Sequence, residues 1–143
     1  MKLIRTLVAA SALTLVAFGA QAATISLHAN MKTSSEVPPH SGKGHGTLNA
    51  TFDTATNVLT YHAVFSQLSG PATMAHFHGP AAVGVNAKVQ VPVTTSPIVS
   101  PIDGTATLTA DQASDLLSGK YYFNVHTAAN PGGEIRGQVV GAN

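Results

Sequence analysis

Cysteine is absent from the 143-residue chain, and only 9% of its residues are charged. The first absence removes disulfides, so an exported domain of this size must be held by its core, by a metal, or by both. The second removes a class of partner. Apart from Lys2 and Arg5 at the start, the basic side chains are Lys32, Lys43, Lys88, Lys120 and Arg136, scattered against six acidic ones. Nucleic acid is held by clustered Lys and Arg, so it has nothing to bind here. Also missing are a Ser-His-Asp set, a glycine loop that cradles phosphate, and paired carboxylates in a common motif, which disfavours hydrolase and kinase chemistry.

Long apolar runs are scarce too. The single one, Leu7 to Phe18, follows Lys2 and Arg5 and precedes Ala20-Gln21-Ala22. This is the three-part pattern of a secretory signal, and the run is too short to span a bilayer comfortably. A buried N-terminal helix or a membrane anchor is the alternative, and neither accounts for an Ala-x-Ala site followed at once by β-type sequence. The expectation is a cleaved signal over residues 1–22 and a single soluble domain over 23–143, periplasmic or secreted, with no membrane span.

What the domain does have is short alternating runs of Val, Thr, Ile, Phe and Tyr, punctuated by Gly, Pro, Asn and Asp. They predict strands near 24–29, 45–53, 57–66, 73–78, 87–94, 104–109, 121–126 and 134–140. Asp53 to Asn57 reads as a hairpin turn. One helix is expected over Thr109 to Leu117, capped by Thr109, with Asp111 at its positive end and Ala113, Leu116 and Leu117 on an apolar face, and ended by Gly119. Segments 34–46 and 95–104 have the composition of loops. About eight strands and one short helix imply an all-β Greek-key sandwich or barrel.

Histidine is the unusual residue: His28, His40, His45, His62, His76, His78 and His126, seven in all. In the strand 73–78, Met74, His76 and His78 share one face and Ala75 and Phe77 the other. Two imidazoles two apart on a strand can chelate one ion, although His-x-His alone is a weak signal. On the strand 121–126, Tyr122, Asn124 and His126 share a face, and the strand runs into the loop TAANPGG. If its end lies beside His78, three imidazoles converge, a donor set suited to copper or zinc. A second reading has His126 capping that loop by hydrogen-bonding its backbone. An all-histidine site is expected to weaken as pH falls through roughly 6, since imidazole ordinarily titrates near 6.5.

Four motifs carry a resemblance: EVPP at 36–39, LSGPATMAHFHGPA at 68–81, LTADQASDLLSG at 108–119 and FNVHTAANPGGEIRGQV at 123–139. Together they resemble the CHRD domain, named after chordin and widespread in bacterial exported proteins. The resemblance covers nearly all of the chain beyond the signal and implies domain identity; it implies no single activity.

A fainter similarity is to copper-zinc superoxide dismutases, eight-stranded Greek-key barrels with a His-x-His strand and a later Val-His strand. Leu68 precedes His76 by eight residues as in those enzymes, and Val125-His126 is followed by Asn130 to Gly133. This similarity implies that His76, His78 and His126 are copper ligands. The departures are definite. GPAAVGVNAKVQVPV follows His78 without a histidine or carboxylate, so no zinc site of that type is expected, and the disulfide is missing. Glu134 stands where those enzymes place an anion-guiding arginine, with Arg136 two residues later on the same face.

The remaining histidines are lesser candidates. His40 and His45 flank a Gly-rich loop whose flexibility brings either within range as a fourth ligand. His62 shares an outward face with Val58, Thr60 and Val64, and His28 alternates with Ser26 toward solvent. The functional expectation is an exported copper-binding domain whose three-nitrogen site has an open position, with superoxide dismutation as its most concrete enzymatic form. The alternatives are copper buffering without turnover and a non-catalytic extracellular module that docks another protein.

Overall fold

The computed structural model describes residues 22–142; the signal expected over 1–22 lies almost wholly outside the described residues. The strands are β1 (Thr24–Lys32), β2 (His45–Asp53), β3 (Val58–Ser66), β4 (Ala72–His78), β5 (Val89–Pro92), β6 (Ile102–Thr107), β7 (Tyr121–Thr127) and β8 (Ile135–Gly141). One helix, α1 (Ala110–Leu117), lies between β6 and β7.

All neighbouring strands are antiparallel, in the order β5-β4-β7-β8-β1-β2-β3-β6. The sheet curls until its two edges, β5 and β6, line opposite sides of one cleft of about 490 Å³. The result is a nearly closed barrel with one short helix.

Alternation dictates the inside. Leu48, Leu59, Phe52, Phe77, Phe123, Val125, Ile135 and Val139 are all buried in one core. Phe77 packs edge-on against both Phe123 and Tyr61, with ring centroids 4.7 and 5.1 Å apart. The turn after β2 forms as its residues require: the Asp53 carboxylate accepts from the amides of Ala55 and Thr56, and Asn57 takes the left-handed conformation.

The helix has a reciprocal cap. Thr109 Oγ1 accepts from the Gln112 amide at 3.2 Å, and Gln112 Oε1 accepts from the Thr109 amide at 2.9 Å. Gly119, at φ +69°, follows its end. Thr109→Ala is expected to lower stability by about 1 kcal/mol, read from the urea midpoint.

Several boundaries differ from the sequence reading. β1 runs on to Lys32, and a short 3-10 turn at Thr33–Ser35 opens the loop expected at 34–46, which ends where β2 begins. β5 is half the expected length, although the Val93 amide still bonds Ala75 O at 3.0 Å just beyond it. β6 starts and stops two residues early: the Leu108 amide bonds back to Asn57, and Thr109 turns away as the cap.

Candidate metal centre

Strand pairing sets the site. β4 and β7 lie side by side in a register that puts Met74 opposite His126, His76 opposite Asn124 and His78 opposite Tyr122. All six side chains project from the outer face of the barrel, because Ala75, Phe77, Phe123 and Val125 fill the inner one. Every residue of β7 is nonetheless buried. Loops cover the outer face, so it is polar yet largely withdrawn from water.

His76, His78 and His126 each offer one imidazole nitrogen within 4.8 Å of the others. Nδ1 of His76 is 3.1 Å from Nε2 of His126. Ligand nitrogens of one ion are about 3.3–3.6 Å apart for metal–nitrogen bonds near 2.0–2.1 Å. Two of the rings are thus close to chelating separation, and the third offers a nitrogen within 4.8 Å of both.

Two backbone carbonyls set the ring tautomers. Nδ1 of His78 donates to Ala87 O at 2.9 Å, and Nδ1 of His126 donates to Pro131 O at 2.9 Å. Each donation leaves the lone pair on Nε2. The His78 Nε2 is buried with no hydrogen-bond partner. Nε2 of His126 faces Asn124 Oδ1 at 3.0 Å, while Asn124 Nδ2 and the Glu36 carboxyl both lie against Gly133. The His126 Nε2 can accept the Nδ1 proton of His76 at 3.1 Å, and a cation can take that proton's place.

The rings are also kept neutral. Burial, and then the charges that would form on His126 and His78, push His76 down to about 4. Burial lowers His78 and His126 as well, against the opposing effect of their carbonyl bonds. These directions would shift proton competition for the three nitrogens to a pH below the roughly 6 expected from sequence.

A second layer fixes the first. The Tyr122 ring stacks on His78, with centroids 4.8 Å apart and planes 2° from parallel, and the Arg136 guanidinium lies 3.4 Å over the other side of Tyr122. Arg136 is itself buried and donates to Asn86 Oδ1 at 2.9 Å and Val85 O at 2.6 Å. It thereby holds the loop 79–88 whose Ala87 carbonyl orients His78. Gly133, at φ +130°, packs where a Cβ would lie 2.8 Å from Asn124 Nδ2 and closer still to Glu36. Burial raises the Glu36 carboxyl above its ordinary range, against the pull of Arg136.

Glu134 organises the other side. Its carboxylate accepts from the Ser69 amide and hydroxyl and from the Thr127 hydroxyl, each at 2.6 Å, and from Asn130 Nδ2 at 3.2 Å. Burial opposes its ionisation, but these donors together hold it below the usual carboxylate range. They pin the loop 128–134, with its Pro131 carbonyl, behind His126.

The other predicted histidines lie outside this group. His45 has its Nδ1 on Lys43 O and its Nε2 on Ser66 Oγ. His40 lines a surface hollow with Glu36, Val37 and Pro131, and its Nε2 is buried without a partner. His62 faces outward and bonds Asp103 at 2.6 Å. His28 is half-buried on β1, across the sheet from β4. Both readings of His126 hold at once: it caps the loop through one nitrogen and joins the cluster through the other. Sequence reasoning placed Tyr122 and Asn124 on the right face without assigning them a role, because their partners come from loops that pattern does not position.

Fold and site together define a small all-β domain with a three-histidine cluster on the outer face of an almost closed barrel. A family model described as the CHRD domain matches residues 27–139, and the chain belongs to that family. No curated protein and no solved structure matches the chain, so the likeness to superoxide dismutases rests on the quoted residues alone.

Proposed function

We propose that this chain is an exported copper-binding domain in which His76, His78 and His126 hold the ion. The observation that supports this reading is the convergence of three imidazole nitrogens within 4.8 Å of one another, one of them, Nε2 of His78, buried without a hydrogen-bond partner. Neutral nitrogen donors suit copper in both oxidation states. Dismutation would require Cu(II) to oxidise one superoxide to oxygen, and the resulting Cu(I) to reduce a second with two protons to hydrogen peroxide. Arg136 does not support a steering role in that reaction, being buried and committed to Asn86 and Val85. Holding copper is therefore preferred to turning it over.

The test is copper analysis of the purified domain and competition with a chelator across pH. One copper per chain is expected, with affinity falling on acidification at a pH below the ordinary imidazole value near 6.5, because all three imidazoles are lowered, His76 to about 4. A stoichiometry well above one, or loss that tracks an ordinary imidazole near 6.5, would sink the proposal.

A second reading, an extracellular docking module, is favoured by two valines on the loop that covers His78. Val83 and Val85 are 79% and 52% exposed. Full retention of protein binding after the three histidines are replaced would support it.

A further inference from the structure

From the copper reading above, on which this step rests, we infer that Met74 supplies a thioether ligand beside the three imidazoles, making the site selective for Cu(I). The placement comes from the register. Met74 lies directly across from His126 and two residues before His76 on the same strand, so its side chain leaves from the face that carries the cluster. Side chains directly opposite on antiparallel strands have Cβ atoms about 4.5–5.5 Å apart, and methionine adds three rotatable bonds of reach.

Its exposure is unexplained by packing. Met74 is 45% exposed, whereas Met31, on β1, is 1% exposed in the core. Met74 is no part of the core cluster. It lines, with His76, a solvent-open cleft of about 440 Å³ between β4 and residues 93–98. Partly covered and outside the core, this flexible side chain is placed beside His76 where it can close over an ion.

The surrounding charge points the same way. No carboxylate belongs to the group of potential ligands among the described residues. The fixed positive charge of Arg136 sits one ring behind His78. Both features favour the ion of lower charge, and a soft thioether favours Cu(I) for the same reason that it disfavours harder cations. The chain has no cysteine to compete as the soft donor. The domain then holds cuprous copper as a buffer or carrier.

The experiment compares wild type, Met74→Leu and His76→Ala for Cu(I), by anaerobic competition with bicinchoninate, and for Cu(II), by competition with nitrilotriacetate. Met74→Leu conserves volume at an exposed position, so folding is retained, as circular dichroism will verify. It is expected to weaken Cu(I) about 10–100-fold and Cu(II) less than about threefold. X-ray absorption of the Cu(I) form should show a sulfur neighbour in wild type and none in Met74→Leu. Unchanged Cu(I) affinity and no sulfur neighbour in wild type overturn the role of Met74 while leaving the histidine site standing. Wild type that takes up no copper, or His76→Ala that binds like wild type, overturns both.

Discussion

Replacing His76, His78 or His126 by alanine is expected to lower the proposed copper affinity by more than about 100-fold, whereas His28→Ala and His62→Ala should stay within about twofold. The threshold follows from the rule that even residues which merely orient ligands cost about 10–100-fold in metal affinity when lost. A ligand removes a bond as well as geometry. His28 and His62 lie away from the cluster, and His62 is occupied with Asp103. His40→Ala and His45→Ala are expected to resemble His62→Ala, because the structure leaves both outside the group. Chelator competition at pH 7.5 gives the affinities, and circular dichroism separates lost binding from lost folding. Equal small losses at all seven positions would mean copper scattered over the surface.

The second large effect lies one layer away. Glu134→Ala is expected to lower stability by about 3 kcal/mol, because it strands donors on Ser69, Thr127 and Asn130 that now bond a charged acceptor. For a domain of this size that is a fall in melting temperature of about 10 °C, measurable by calorimetry. Copper affinity should fall as well, since the loop bearing Pro131 loses its anchor and His126 its orientation. Glu134→Gln recovers little, because its amide brings two more donors against a ring of donors. A melting temperature within about 2 °C of wild type for Glu134→Ala would refute this account.

Acid sensitivity combines both layers. The imidazoles of the cluster are depressed in the folded state. Their contribution is present in full above the unfolded value near 6.5 and is lost as pH falls toward the folded value, about 4 for His76. Glu134, also depressed, contributes above its unfolded value and loses that contribution at still lower pH. The metal-free domain should thus weaken in two stages on acidification, and copper should suppress the first.

Much of this was legible in sequence because it rests on local rules. Alternation located all eight described strands, and Thr109, Asp111 and the apolar face of Ala113 and Leu116 announced the helix before any packing was known. The shared face of His76 and His78 follows from a period of two, and His126 joined them through resemblance rather than spacing. The carbonyls of Ala87 and Pro131 were invisible, since any residue supplies a carbonyl and only the path of a loop aims it. The sequence places Arg136 on the face of Glu134 but does not show its burial, which depends on Tyr122 below it and the loop 79–88 around it. Glu134 is likewise an ordinary carboxylate until Ser69, 65 residues earlier, folds against it.

The strand order carries a consequence for how such a chain matures. β8, the last strand in the sequence, sits between β7 and β1 and joins the two halves of the sheet. The two hairpins of β1, β2 and β3 pair locally, but β4 waits for β7, and His76 meets His126 across fifty residues of chain. Contacts so distant form slowly. A chain threaded through a membrane from its N-terminus can assemble neither the closed sheet nor the histidine cluster until its final segment has emerged. If the chain is exported and binds copper as proposed, topology sets the order: passage first, closure by β8 second, and metal uptake last.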